Sequence, residues 1–194
     1  MYQMILVTEG VVNIKLPRDE FLGEAIIELT DIISRPYAGA SMLPDLCMVT
    51  YGRRLLVGES KEEILEAIKN TIAQTSKGAP QLNATVEYCH GRATCYTGAR
   101  ISAEKYSPAW LASGDSQLVK TALSALAGIS LEPKLGKYSF CTNSSKSAAN
   151  RHIPTIGFGP SRENLAHITN EYIKIEQLLK AAQGYATIAD EILK

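Results

Sequence analysis

The stretch Leu46–Tyr88, "LCMVTYGRRLLVGESKEEILEAIKNTIAQTSKGAPQLNATVEY", decides how the first half of the chain is read. It opens with Val, Thr, Tyr and Leu, which suit a pleated, half-buried surface, so Leu46–Leu56 is expected to be a strand. "SKEE" then has the form of a capping box. The Ser60 side chain can accept from the Glu63 N–H while Glu63 reaches back to Ser60. Ile64, Leu65, Ile68 and Ile72 follow at helical spacing, and Gly78 and Pro80 end the pattern. "LNATVEY" alternates, with Leu82, Ala84, Val86 and Tyr88 on one face and Asn83, Thr85 and Glu87 on the other, which predicts a half-buried strand.

Toward the N-terminus, "EAIIELTDII" (Glu24–Ile33) is rich in isoleucine and reads as a strand, although Ala25–Leu29 also suits a helix. The turn-rich "SRPYAGAS" would join it to Leu46–Leu56 as a hairpin. The order β-β-α-β over Glu24–Tyr88 is most of a split βαβ, ferredoxin-like unit. "MILVTEGVVNIKL" is expected to form one or two short strands, interrupted at Glu9–Gly10, before Pro17 and the charged "RDE" make a break.

Beyond Tyr88, "CHGRATCYTGARISAEKYSPAWLASGDS" carries Gly, Ser and Pro throughout. It is expected to be an irregular linker holding the domain boundary, with domains at 1–97 and 98–194. Leu118, Val119, Ala122, Leu123 and Leu126 predict a helix stopped by Gly128. "KYSFCTN" suggests a short strand. "IPTIGFG" (Ile153–Gly159) is apolar and ends in glycine, as buried α/β strands do. "EQLLKAAQGYATIADEILK" predicts a last helix with Leu178, Leu179, Ala182, Tyr185, Ala186, Ala189 and Leu193 on one broad apolar face. The fold class expected is therefore α/β, with an α+β first part.

Composition narrows the function classes. Lys+Arg and Asp+Glu both number 20 in 194 residues. That balance gives no electrostatic case for nucleic acid or an anionic membrane surface. No apolar run approaches the roughly 20 residues that span a bilayer. "MYQMILVTEG" has no basic leader region and its apolar run stops at Val7, so no secretory signal is expected and a cytoplasmic address is the default. In such a compartment Cys47, Cys89, Cys95 and Cys141 are expected as free, buried thiols rather than bridged ones. Cys89, His90 and Cys95 lie close in "CHGRATC", but the two cysteines are farther apart than usual zinc pairs, so ordinary thiols near a strand end are favoured over a metal site.

Candidate chemistry gathers in three places. "GPSRENLAHITNE" (Gly159–Glu171) follows the apolar "IPTIGF", and ligands in α/β sheets bind in loops of that kind. His167 there is either a metal ligand or acid–base group, or a solvated loop histidine. Glu171 either orients its imidazole or is a surface acid. Arg53 and Arg54 are adjacent on a strand and face opposite sides, so at most one points into a given pocket. An arginine could hold a substrate carboxylate in a bidentate pair, or be an exposed strand charge. "CTNSSKSAAN" (Cys141–Asn150) could supply backbone donors to an oxyanion or carboxylate, or be an ordinary surface loop. No G-x-S-x-G, P-loop, G-x-G-x-x-G after a strand or H-E-x-x-H is present.

Together these residues resemble a known family. "IPTIGFGPSRENLAHITNEYIKIEQLLKAAQGYA" is similar to the C-terminal signature of the dinuclear zinc metallopeptidases of the aminoacylase and carboxypeptidase-G type: a strand, a Gly-Pro-Gly-like turn, an Ala-His-x-x-Asn-Glu element and a long helix. "SMLPDLCMVTYGRRLLVGESKEEILEAI" resembles the family's lid, or dimerisation, domain, where an Asn-x-x-Pro-Asp turn leads into a strand ending in Asp-x-Arg or Asp-Arg-Arg and then a helix. "DEFLGEAIIELTDI" and "KYSFCTNSSKSAANRHIPTIGFGP" look closest to the selenium-metabolism-linked hydrolase branch. The resemblance spans about Phe21 to Lys194.

It implies a partial ferredoxin-like lid followed by the C-terminal part of a zinc-peptidase-like α/β domain. It implies hydrolysis of amide bonds in peptides or N-acyl amino acids by a metal-bridging water with a glutamate as general base. His167 would be the last zinc ligand, with Glu171 behind it. Arg53 or Arg54 would recognise substrate, and Thr142, Asn143 and the Gly157–Ser161 turn, including Gly159, would wall its site. The pattern is also departed from. The family's His-x-Asp, bridging Asp and catalytic Glu-Glu pair have no counterpart here, since Glu62–Glu63 belongs to the helix. Ser41, Gly52 and Ser161 stand where the lid asparagine, the strand-end aspartate and the last turn glycine are usual. The expectation is a C-terminal fragment, inactive alone, whose partner is a missing N-terminal half or a second copy through the lid. The alternative is a non-catalytic dimerisation or binding module. Either way an exposed strand edge or apolar surface is expected.

Overall fold

A computed structural model describes residues 2–36 and 42–194. Ser41 and most of the expected connection "SRPYAGAS" lie outside the described residues. The fold is mixed α and β, with small antiparallel sheets and helices. The chain forms two compact units, one up to Ala109 and one from Trp110 to Lys194.

In the first unit, Tyr2–Val12 is helix α1 rather than the expected strands. Val7 and Val11 are buried, one turn apart, with Met4 and Thr8 half-buried beside them. Spacings of three and four bring such residues to one side only in a helix. Gly10 does not break it. A Cβ there would stand 2.7 Å from Thr71 Cγ2, so the glycine allows close approach to helix α2 (Lys61–Gly78).

Arg18–Asp19 (β1) and Gly23–Glu24 (β2) make a small hairpin, its turn held by Asp19 Oδ1 accepting from the N–H groups of Phe21 and Leu22. Ile26–Arg35 (β3) then pairs antiparallel with Leu46–Arg54 (β4), from Ile26 opposite Arg54 to Arg35 opposite Leu46. The register shifts between Leu29 and Asp31. Thr30 is the extra residue, and its hydroxyl donates to the Thr50 carbonyl at 3.1 Å. The choice between strand and helix for Ala25–Leu29 thus resolves to strand from Ile26 on.

Helix α2 starts as the capping box requires. The Ser60 hydroxyl accepts from the Glu63 N–H, and Glu63 accepts from the Ser60 N–H. The Ser60 hydroxyl, and then its N–H, hold the Glu63 carboxyl below its usual range. Ile64, Leu65, Ile68 and Ile72 are half-buried along one stripe.

Leu82–Tyr88 shows the expected alternation of half-buried and exposed residues, but pairs with no strand among the described residues. Alternation reports one-sided burial; a strand also needs a ladder partner. The segment expected as an irregular linker instead holds a hairpin, His90–Thr94 (β5) against Arg100–Glu104 (β6). Its turn closes with Cys95 N–H on the Ala99 carbonyl at 2.8 Å and Gly98 N–H on the Cys95 carbonyl at 2.9 Å, with Gly98 at φ 83°. Only glycine adopts that conformation without a steric cost.

The second unit is built on Gln117–Gly128 (α3) and Ile175–Leu193 (α4). Ala122, Ala125 and Leu126 of α3 and Ile188 of α4 form the core, and Ile129, Leu131, Ile156 and Phe158 pack against it. The face α4 buries is Ala181, Gly184 and Ile188. The face expected to be buried is open instead: Leu178, Leu179, Tyr185 and Leu193 are exposed. Small residues face the core because the partners come close.

A Cβ on Gly184 would lie 2.7 Å from the Phe158 ring and 2.9 Å from Leu126 Cδ2. "IPTIGFG" is not a buried strand: only Thr155, Ile156 and Phe158 are half-buried and the rest is exposed, and "KYSFCTN" also forms no strand; neither has a ladder partner among the described residues. Among the described residues no helix is long and apolar enough to cross a membrane.

Gly184 sets the first prediction. Helix propensity alone favours alanine by about 1 kcal/mol. Overpacking a ring and a leucine typically costs about 1–3 kcal/mol. Gly184→Ala should therefore lower the urea midpoint; a raised midpoint would show that Phe158 yields freely.

Candidate functional site

Arg53 and Arg54 end β4 in the first unit and, as adjacent strand residues, diverge. Arg53 is enclosed, with its side chain 15% exposed, and forms an ion pair with Glu59, 14% exposed. Its guanidinium also donates to the carbonyls of Ile26 (3.2 Å) and Arg54 (3.0 Å). Arg54 is exposed, and its guanidinium makes no ion pair among the described residues. So Arg54 is the arginine available to a ligand. Gly52 also has a local reason: a Cβ there would press on Thr30 Cγ2 at 3.1 Å, where the bulge crowds the strand.

The other expected residues lie in the second unit. Thr142 and Asn143 are exposed in a turn leading into a short π-helix, Ser145–Asn150. Several backbone donors of this loop are already used. Ser144 N–H donates to Thr142 Oγ1, Ser145 N–H to the Thr142 carbonyl and Lys146 N–H to the Asn143 carbonyl. Of the two alternatives for this loop, backbone donors to an anion or an ordinary surface loop, these three bonds take up part of the donor set within the turn itself.

Gly159 follows Phe158, whose carbonyl accepts from the Tyr185 hydroxyl at 2.5 Å while the two rings meet edge to face at 5.2 Å. A Cβ on Gly159 would sit 3.3 Å from that hydroxyl oxygen. Glu163, which carried no sequence signal, ties the next turn down: its Oε1 accepts from the Ser139 N–H at 2.6 Å.

His167 is exposed and holds φ 62°. Ser161 and Asn170 are also left-handed, at 74° and 61°. The conformation costs a non-glycine residue roughly 1–2 kcal/mol, so its recurrence within ten residues marks a loop held against its local preference. Glu171 supplies part of the hold: its Oε2 accepts from the His167 backbone N–H at 2.9 Å, and its own N–H donates to the Ile168 carbonyl at 3.2 Å. The carboxylate thus shapes the main chain around His167.

Among the described residues no group of three or more His, Cys, Asp or Glu side chains could hold a metal ion. The cysteines are free but not buried as expected, Cys89 and Cys141 being exposed and Cys47 and Cys95 half-buried at element ends and turns; Cys89 flanks β5 on one side and Cys95 on the other. At about 3.3 Å rise per residue, six steps set them about 20 Å apart, too far to share an ion.

Sequence reasoning also missed a polar–aromatic cluster at the start of α2. Lys61 pairs with Glu104 and lies 5.1 Å from the Tyr88 ring centroid. Tyr88 meets Tyr106 edge to face at 5.3 Å and donates to the Lys61 carbonyl at 3.1 Å. Burial, then the charges of Tyr106, Glu62 and Glu104, push the Tyr88 hydroxyl up to about 12. The folded state therefore favours neutral Tyr88. The stability this contributes is present below the ordinary tyrosine value of 10.0 and lost as pH rises toward about 12. Urea midpoints should fall over that window, and Tyr88→Phe should flatten the fall; an equal slope in the variant would remove Tyr88 as its source.

Two comparisons bear on the chain. The sequence model of peptidase family M20/M25/M40 matches residues 9–191. The uncharacterized protein YgeY of Escherichia coli strain K12 is 31% identical over 175 residues, covering 90% of this chain and 42% of the relative. YgeY of Escherichia coli O157:H7 matches equally. The chain thus spans less than half the length of these relatives. No solved structure matches it.

Proposed function

Because the chain belongs to the peptidase family M20/M25/M40, we propose that it forms lid and closing catalytic-domain parts of a metal-dependent hydrolase that cleaves amide bonds of peptides or N-acyl amino acids. The observation that carries this reading is the family match over residues 9–191, with Arg54 exposed in one part and the His167 loop built in the other. The domains would divide at 97 and 98, and the selenium-metabolism-linked branch is the nearest by "DEFLGEAIIELTDI" and "KYSFCTNSSKSAANRHIPTIGFGP".

Under this reading His167 is the last ligand of a zinc site. The residues present do not fit zinc by themselves: a catalytic ion needs about three protein ligands, and one imidazole beside a carboxylate bonded to main chain does not provide them. The remaining ligands would come from sequence outside these 194 residues, so the chain alone should not hydrolyse substrate. Arg54, at the last position of the Asp-x-Arg pattern, would hold the substrate carboxylate. Within the second unit Thr142, Asn143 and Gly159 would form walls for substrate, and within the first Arg53 would support Arg54.

A second reading, a dimerisation or binding module, is favoured by the apolar side chains left open. Ile26, Ile32, Leu46 and Met48 are exposed on the β3–β4 hairpin, as are Leu178, Leu179 and Leu193 on α4. With either reading we propose a cytoplasmic protein that works as a homodimer through the lid or joined to an N-terminal half.

Calorimetric titration of an N-acetyl amino acid and its carboxamide into the full chain tests the first reading. A charge-assisted hydrogen bond contributes about 1.5–3 kcal/mol, or roughly 10- to 100-fold in affinity. The acid should bind more tightly by that factor, and Arg54→Ala should remove the preference. Equal binding of acid and amide would sink the assignment of Arg54.

A further inference from the structure

We propose that Glu59 is a positioning residue that presents Arg54 by clamping the end of the β3–β4 ladder through Arg53. The inference rests on the reading of Arg54 as the carboxylate contact. Ile26 opposite Arg54 is the last pair of that ladder. A terminal pair has no further pair beyond it to hold its register.

Here one guanidinium spans it. Arg53 donates to the carbonyl of Ile26 on one strand and of Arg54 on the other, at 3.2 and 3.0 Å. A planar guanidinium with five fixed donors suits this task; a lysine ammonium does not. Glu59 holds the guanidinium in place with Oε1. Its second oxygen, Oε2, accepts from the Leu56 N–H at 2.6 Å, so the chain leaving the strand is pinned by the same carboxylate. Glu59 is itself anchored, its carbonyl accepting from the Tyr106 hydroxyl at 3.5 Å.

The pair is too enclosed to be an ordinary surface ion pair, which contributes little. Its hydrogen bonds converge on the main chain of Arg54 itself, of Ile26 opposite it and of Leu56 just beyond it. The exposed Arg54 side chain is thereby launched from a fixed backbone, which lowers the ordering cost of binding a carboxylate.

The test is a double-mutant cycle on the full chain, with an N-acetyl amino acid as the probe and folding checked by amide NMR spectra. Glu59→Gln keeps an acceptor for Leu56 but loses the charge that holds Arg53. It should weaken the probe roughly tenfold in the parent, as a misplaced binding group does, and change nothing further in the Arg54→Ala background. Arg53→Lys should weaken it similarly, and it carries the comparison where Glu59→Gln does not fold.

A purely structural role would lower the melting temperature of folded variants and leave affinity unchanged, which would overturn the proposal while Arg54→Ala still loses binding. If Arg54→Ala binds as the parent does, the reading of Arg54 fails, and the positioning role with it.

Discussion

Phe158 resting on Gly184 is the contact on which the second unit depends. The segment that carries it has no ladder partner among the described residues, so its side chains must hold it. The ring of Phe158 fills the space a side chain on Gly184 would take, while the Tyr185 hydroxyl bonds to the carbonyl of the same residue. One residue is thus fixed through both ring and main chain. On either side the pattern repeats on a smaller scale: Tyr138 packs on Gly157, and Glu163 bonds to the Ser139 N–H. The loop that follows, with left-handed residues at 161, 167 and 170, leaves an anchored point and closes on the carboxylate of Glu171.

The first unit meets a similar shortage of ladder with charge and caps. Its sheets are two-stranded, and isolated two-stranded ribbons are marginal. Helix α1 packs against α2 and against β3, and Tyr51 reaches α1 through a 3.1 Å hydrogen bond to Thr8. The Arg53–Glu59 pair holds the end of the β3–β4 hairpin. Large apolar residues remain open in both units, along the hairpin and along α4. A helix that is apolar on more than one side is ordinarily covered on more than one side. That property fits a chain whose family relatives are more than twice as long, and it agrees equally with self-association.

Much of this fold is legible in the sequence where signals are local. The Ser60–Glu63 box, the stripe of α2, the β3–β4 pairing, and helix α3 with its end at Gly128 all follow from spacing and end residues. What misled was context. Val- and Ile-rich α1 resembles strand, and Gly10 resembles a break, until the approach of Thr71 shows why glycine is there. The β5–β6 hairpin hides among small residues because its turn signal is one glycine, Gly98. On α4 the larger side chains mark a face that spacing alone would bury, and the buried residues are Ala181, Gly184 and Ile188. Close helix contact at Gly184 selects the small ones instead. Of the candidate site, the opposite facing of Arg53 and Arg54 could be read from strand geometry. Which of them is engaged could not, because that depends on Glu59, several residues on and beyond the strand.

His167 carries the remaining question. Its main chain is supported by the Glu171 carboxylate, yet the described residues bring no second and third ligand to it. The most direct measurement is zinc titration of the purified 194-residue chain by calorimetry, beside metal analysis of the protein as isolated and the same titration of His167→Ala. The account predicts no tight, stoichiometric zinc in either form. Stoichiometric zinc held tightly by the parent and lost in His167→Ala would contradict it, because the chain would then carry a complete site of its own.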